Sequence, residues 1–442
     1  MKRFLKHIIF ILFVLTTLTA NAQNGRVTTT HKVEKGETIY GISHKYGVTV
    51  DELTKANPDM MDPGFALKTG EVIVIPAKGK PSVSKSVNKS KAINIGVMLP
   101  LNNTTEEGRN MVEYYRGILM ACDYLKREHY NINVHAWNVP HSANINNILM
   151  EKGASECDVI FGPYYSDQIA KVGGFAKAHD IRLAVPFATD INELANNPNM
   201  FVLSEFNPQF NEGTCNKFLD IFGNKINAVI VDCNDAKHAK GSFTMTFRKI
   251  LNEKDIKYNI TNLRSDDYSF RKAFKKNKRN IVVLNSAGSN EFSYAVEKLN
   301  SVRNAFPGIE ITILGYPEWF MFEQYKFGDF AKYDVHIPTF FYYNSHSAGT
   351  KRIEADYYKW FECNMHKATP RFAIAGYDHA NYFIRGFAKF GKSFSGAREQ
   401  NTTGYVQMPL SFNKVSLSGG RQNDAFMFIH YKKDKSIESI AY

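Results

Sequence analysis

Only five of the 442 residues are cysteine, and no two of them form a Cys-x-x-Cys pair. Cys122, Cys157, Cys215, Cys233 and Cys363 are an odd set, so they cannot all pair within one chain. Cys122 follows Met111, Tyr115 and Ile118 on one helical face, and we read the five as small core residues. Catalytic signatures are equally scarce. There is no H-E-x-x-H, no G-x-S-x-G and no Walker A run. His336 and His346 flank a strand end without the spacing of metal ligands. The paired acids Asp266-Asp267 and Asp232/Asp235 read as turn or cap residues. No catalytic residue, cofactor or metal ligand is therefore expected, and the chain reads as non-enzymatic. It also has no RRM, KH or zinc-finger pattern, which argues against nucleic acid as a partner.

Long apolar runs are missing beyond the N-terminus, where a membrane helix would need ~20 such residues. The first residues, MKRFLKHIIFILFVLTTLTANAQ, have basic Lys2, Arg3 and Lys6, an apolar stretch Ile8 to Leu15, and Ala20-Asn21-Ala22. That is the layout of a cleavable export signal over residues 1–22. No cysteine stands at the cleavage point, so a lipid anchor is not expected. The expected location is the periplasm or cell envelope, with no transmembrane segment in the mature form. The formal charge is +12, or +9 without the three basic signal residues. A basic exported protein can lean on anionic wall polymers, although a solvated face explains the charge equally well.

From His31 the chain reads HKVEKGETIYGISHKYGVTVDELTKANPDMMDPGFALKTGEVIVIP. Thr29 to Val33 predicts a strand and Gly36 a turn. Ile39, Ile42 and Tyr46 give a one-sided helical stripe, which Gly47 stops. Thr49 and Glu52 form a capping box, with Val48 and Leu53 placed for a hydrophobic staple. Asn57-Pro58 ends the second helix, and Val72 to Ile75 close the unit as a strand. This β-α-α-β stretch resembles the LysM family. The matching positions are Val33, Gly36, Glu37, Thr38, Ile39, Ile42, Tyr46, Val48, Leu53, Asn57, Leu67, Gly70 and Ile73-Val74-Ile75-Pro76. Glu37 and Ile39 depart from the family's usual Asp and Leu. The resemblance implies binding of peptidoglycan through its N-acetylglucosamine-containing glycan. Carried over, the groove would be Gly36, Glu37, Thr38 and Ile39 on one side, with Leu67, Lys68, Thr69 and Gly70 on the other. Backbone groups would meet acetamides there, and aliphatic side chains would cover sugar faces.

Domain bounds follow from composition. Residues 1–22 are the signal, 27–77 the LysM domain, 78–92 a Lys/Ser-rich linker and 93–442 one large domain. The linker has little to bury and reads as a flexible tether.

Beyond the linker, strands and helices alternate. Strands are expected at 93–100, 132–136, 158–161, 181–188, 228–232, 257–262, 280–286, 310–314 and 334–341. The intervening helices include 107–126, 166–178, 208–222, 242–254, 269–276, 291–305, 352–364 and 375–390, and β-like segments close the chain at 404–412 and 425–431. Such alternation specifies an α/β fold with doubly wound parallel sheets. Some 350 residues exceed one core, so two lobes are expected. The segments INIGVMLPL, Tyr115-Arg116-Gly117, Phe161-Gly162-Pro163-Tyr164-Tyr165-Ser166, Ile181 to Thr189 and Ala375 to Ala380 resemble the type I periplasmic binding proteins of the branched-chain amino-acid-binding sort. That resemblance implies a small ligand in an interlobe cleft, held by Ser166, Ala188 and Thr189 from one lobe and Asn285, Ser286 and Glu291 from the other. Ser166 reads equally well as a helix N-cap.

Two functions fit these features. One is a wall-tethered solute-binding protein that takes an amino acid, peptide or wall fragment and serves a transporter permease. The other is a non-enzymatic adaptor of peptidoglycan synthesis that contacts a wall synthase, similar to the outer-membrane lipoprotein activators of those enzymes.

Overall fold

The structure, a computed structural model, describes residues 29–442 apart from 49, 62–64, 77–91, 189–190 and 204–209. The signal segment, nearly all of the expected linker, Thr49 of the capping box and Thr189 lie outside the described residues. The chain divides into two compact units. The first holds residues 1–92 with 122–131 and 351–365, and the second holds the remainder.

The first unit contains strand β1 (Thr29–Lys32), helix α1 (Ile39–Tyr46), helix α2 (Val50–Ala56) and strand β2 (Val72–Ile75). β1 and β2 pair antiparallel, with Lys32 opposite Val72. Ile39, Ile42, Leu53, Ile73 and Ile75 are buried and supply its small core. Asn57 fastens the end of α2 to β2. Its amide donates to Leu53 O and Val74 O, each at 2.8 Å, and its carbonyl accepts from Val74 N at 2.7 Å. One side chain thereby satisfies both a helix-end carbonyl and a strand edge, groups that would otherwise lack partners.

The second unit has two seven-stranded sheets. In the first lobe, β3 (Ile93–Leu99), β4 (Ile132–Asn138), β5 (Val159–Phe161), β6 (Arg182–Val185) and β7 (Met200–Val202) alternate with α3 (Glu106–Arg127, whose residues from 122 onward fall in the first unit), α4 (Ile145–Leu149) and α5 (Ser166–Ala178). The second lobe begins with α6 (Phe210–Phe222) and β8 (Ile226–Asp232). It continues through α7 (Gly241–Glu253), β9 (Tyr258–Asn262), α8 (Asp267–Arg271), β10 (Arg279–Leu284), α9 (Ser289–Ala305), β11 (Ile311–Leu314), α10 (Glu323–Lys332) and β12 (His336–Thr339). The chain then forms α11 (Ala348–Phe361) and α12 (Phe372–Phe390). It adds β13 (Phe412–Lys414) and β14 (Arg421–Asn423) to the first sheet, and β15 (Met427–Tyr431) and β16 (Ile437–Ala441) to the second.

Five strands of each sheet follow the same parallel order: β4-β3-β5-β6-β7 in one, where β14 adds a further parallel strand beside β7, and β9-β8-β10-β11-β12 in the other. The strand order reverses beside β3 and beside β8, and these are the points where crevices open at the carboxyl ends of strands. Both faces are covered, so the central strands read as continuous apolar runs rather than alternations. In the first lobe, Ile169, Val172 and Ala176 of α5 share a core with Trp137, Ile160 and Leu183. On α12, Phe383 lies against Phe161 and Phe201 at 5.7 and 5.4 Å between ring centroids.

Three departures from the sequence reading have local causes. The expected strand 404–412 is irregular as far as Phe412, because the buried Asp378 carboxylate accepts from Val406, Gln407 and Met408 N–H at 2.8–2.9 Å in place of a neighbouring strand. The helix expected over 269–276 stops at Arg271. Asn280 turns the chain by bonding Lys275 N at 2.9 Å and Lys275 O at 3.0 Å. Strands β7, β14 and β16 and helix α10 were not anticipated. β7 and β14 have three residues each, too few to show a period. Four of the five cysteines are buried free thiols, and Cys363 is partly buried. Burial pushes Cys122 and Cys157 up to about 12. Among the described residues, no helix is long and apolar enough to cross a membrane.

Helices α3 and α12 approach until their backbones touch. A Cβ on Gly117 would lie 1.8 Å from Ala373 O, and one on Gly376 would lie 2.0 Å from Tyr114 O. Both obstacles are backbone, which cannot rotate away. Gly376→Ala should therefore lower stability by about 3 kcal/mol through forced separation of the helices. Denaturant unfolding of the two proteins measures this, and an unchanged midpoint would mean that the crossing yields without cost.

Candidate functional site

The two loops assigned to the glycan groove lie at one end of the β1–β2 pair. Val33 N–H donates to Glu71 O at 2.8 Å and Gly70 N–H donates to Val33 O at 2.8 Å, which extends the ladder into both loops. Gly36 and Gly70 take positive φ values of 85° and 89°, and neither has an atom within 4 Å of the place where a Cβ would stand. Their backbone is accessible because no side chain covers it. Lys68 and Thr69 are exposed, and Leu67 is half-buried. Thr38 caps α1, its hydroxyl accepting from Gly41 N at 3.0 Å. Ile39 is 3% exposed and belongs to the core, so its side chain is not presented to a sugar in this conformation.

Glu37 is engaged within the domain. Its carboxylate accepts from Glu34 N at 2.8 Å, bonds His31 Nε2 at 2.6 Å and meets Lys45 Nζ at 3.1 Å. The other ring nitrogen of His31 bonds the Tyr46 hydroxyl at 3.0 Å. The departure from Asp to Glu thus lets one carboxylate bridge the loop, β1 and α1. His31, Lys45 and the Tyr46 hydroxyl escape a reading by apolar period, since their partnership needs the strand and helix to be folded together.

In the large unit, Ser166 is the first residue of α5 and is exposed. The cap position is Tyr165, without a side-chain cap bond, so Ser166 is not the N-cap. Ala188 is half-buried beyond β6, and Thr189 lies outside the described residues. Asn285 sits just past β10 with its amide engaged: Oδ1 accepts from Cys233 N at 2.7 Å and Nδ2 donates to Asp232 Oδ1 at 2.9 Å. Ser286 is 0% exposed, and its hydroxyl donates to Asp235 at 2.7 Å while accepting from Gly288 N at 2.9 Å. Both residues brace the strand end. Glu291 is half-buried and lines a cavity of about 580 Å³ with Cys233, Asn234, Arg264, Asp267 and Lys298. Asp266 caps α8, accepting from Ser269 N at 2.9 Å, as its sequence setting suggests.

His336 does have clustered neighbours that its spacing from His346 did not reveal. Its ring stacks on His430 at 3.9 Å, and His430 Nε2 bonds Asp334 Oδ1 at 2.8 Å. Arg279 also approaches Asp334, at 3.1 Å. Burial lowers His336 to about 4, so the ring is neutral near pH 7.

With this geometry in hand, the comparisons fall into two parts. The LysM domain family matches residues 31–76. The rest of the chain has the two-lobed type I periplasmic binding-protein fold. A protein assigned as a branched-chain amino acid ABC transporter from Rhodospirillum rubrum is similar to it at TM-score 0.50 and 12% identity, over 79% of this chain and 100% of that one. The substrate-binding protein LivJ of Streptococcus pneumoniae, in complex with isoleucine, aligns at TM-score 0.36 and 18% identity, over 80% of this chain and all of that one. Full-length LpoA from Haemophilus influenzae aligns at TM-score 0.45 and 16% identity, over 79% of this chain and 59% of that one. Comparison with curated proteins gives no match.

The Glu37 brace gives the LysM domain an acid limit. The Glu34 amide first, and then His31 and Lys45, hold the carboxyl at about 2, below its usual 4.5. A carboxyl lowered by folding contributes stability that is complete above the unfolded value and is lost as pH falls through the folded one. The contribution should therefore fade between pH 4.5 and about 2. Thermal melts of the wild type and Glu37→Gln should differ near neutrality and converge at the acid end. A constant gap across that range would remove the brace from the account.

Proposed function

We propose that this is a cell-envelope protein that attaches to peptidoglycan through its LysM domain and works through a non-catalytic two-lobed body. The observation that carries attachment is the pair of open loops at Gly36–Thr38 and Lys68–Gly70, tied together through Val33 and Glu71. The exposed backbone at Gly36 and Thr69 suits the acetamide groups of N-acetylglucosamine. Attachment to the wall implies export, which agrees with the signal-like residues 1–22 and the basic linker over 78–92.

The test is co-sedimentation of the mature full-length chain with purified sacculi. Thr69→Arg puts a long side chain over the exposed loop edge, clear of the core. It should reduce retention at least tenfold, about 1.4 kcal/mol, with the melting temperature unchanged. Equal retention of both proteins, or none of either, would overturn attachment through this edge.

For the body, we favour an adaptor that contacts a wall synthase. Its support is the internal engagement of Asn285 and Ser286: the first has both ends of its amide bonded, and the second is sealed from solvent. A solute-binding protein serving a permease would need those groups turned toward an amino acid, peptide or wall fragment, together with Ser166, Ala188, Thr189 and Glu291. Ligand that binds only the folded state raises its melting temperature. The adaptor reading expects no such rise with amino acid, peptide or muropeptide panels, and expects in-cell crosslinks to wall-synthesis enzymes. Saturable stabilisation by an amino acid, with crosslinks confined to permease subunits, would replace it with the transport reading.

A further inference from the structure

A second polar constellation stands at the strand-order reversal of the second lobe, and the wall-binding reading makes no use of it. Asp235, His238 and Glu291 bring one ligand atom each within 4.8 Å of one another. Asp235 and His238 lie on the loop after β8, and Glu291 is in the first turn of α9 just past β10.

The loop is fixed rather than loose. Lys240 N–H donates to Asn285 O at 2.7 Å, Ala287 N–H donates to His238 O at 3.0 Å, and Ala239 bridges to Ser286. The buried Ser286 hydroxyl holds Asp235 Oδ2, and Lys237 N–H holds the other oxygen at 2.8 Å. That orientation leaves Asp235 Oδ2 3.1 Å from His238 Nδ1. Glu291 folds back over Gly288. A Cβ at Gly288 would lie 2.0 Å from Glu291 Oε2 and 3.1 Å from His238 Nδ1, so only glycine lets the carboxylate and the imidazole face each other there.

Two carboxylates this close repel each other unless a cation stands between them. Among the described residues, none donates a hydrogen bond to the Glu291 carboxylate or forms an ion pair with it. The nearby Lys240 ammonium is bonded to Glu318. The other His-containing cluster provides a contrast. At Asp334–His336–His430 the Arg279 guanidinium already supplies the positive charge, 3.1 Å from Asp334 Oδ2, and Thr312 bonds the same oxygen at 2.8 Å. That cluster holds a fixed cation, whereas in the Asp235 cluster the carboxylate of Glu291 has none bonded to it among the described residues.

We infer that Asp235, His238 and Glu291 form a binding site for one divalent transition-metal ion of the zinc type. One imidazole nitrogen and two carboxylate oxygens are the donors that zinc accepts, and three protein ligands leave a fourth position for water or an anionic group. Ions that prefer oxygen alone gain little from His238. The side chain of His238 is 45% exposed, so the ion can enter without opening the core.

The probe is zinc chloride titrated calorimetrically into the untagged, chelator-treated mature chain, with cobalt(II) as a spectroscopic substitute. The tightest zinc site should weaken at least tenfold in His238→Ala and in Glu291→Gln, and be unaltered in His430→Gln. Bound cobalt should show no thiolate charge-transfer band, which separates this site from Cys363. Because His238 and Glu291 are not core residues, circular dichroism of both variants should match the wild type. The inference is overturned by absence of zinc binding, by equal affinity in both variants, by loss in His430→Gln instead, or by a thiolate band.

Discussion

A parallel β-sheet buried on both faces leaves its polar chemistry only one kind of place to go. Each strand interior must be apolar, so hydrogen-bonding and charged side chains collect where strands end and loops begin. The two lobes obey this in the same way, since both have one central strand with its successor on one side and the rest on the other. Ala228, Val229 and Val231 of β8 and the four residues Ile281–Leu284 of β10 are fully buried. The next residues along both strands form a dense polar net: Asp232 with Asn262 and Asn285, Asn234 with Asn262, and Asp235 with Ser286.

The same rule explains what the sequence made legible. Apolar runs such as Ile93 to Leu99 and stripes such as Met111, Ile118 and Cys122 are direct consequences of two-faced burial, and they located nearly every long element. Gly117 and Gly376 were visible as parts of family-like segments, but their reason was not. Each exists because the backbone of the facing helix passes at contact distance, and no property of one segment alone encodes that. Asn57 is similar: its place before Pro58 marks a helix end, while two of its three bonds, those with Val74, depend on a strand residue that arrives seventeen residues later.

Side chains with partners far along the chain were the least legible. Asp378 lies in a helix whose stripe is almost wholly apolar, and burial pushes its carboxyl up to about 7 against the pull of three amide donors. Those donors belong to residues 406–408, so an apparent strand became a loop hung from a helix. The Asp334–His430 pair was hidden for the same reason, and the His31–Glu37–Lys45 brace because its members come from a strand, a loop and a helix that meet only on folding. Short-range pattern reports burial well and reports long-range polar pairing hardly at all.

These polar pairs bear on how the body works. A ligand cleft in this fold needs groups at the strand ends that are oriented yet still able to form new hydrogen bonds. Leaving a buried donor or acceptor unsatisfied costs about 1–3 kcal/mol, so a group already holding two partners yields them only to a ligand that restores both. Asn285 and Ser286 are in that position, which makes them supports for the loop carrying Asp235 and His238. Glu291 is not, because its carboxylate lines open space beside the same loop. The capacity for new bonds at this strand end therefore rests with the loop and with Glu291, the one of the three positions implied for this lobe that is not already engaged.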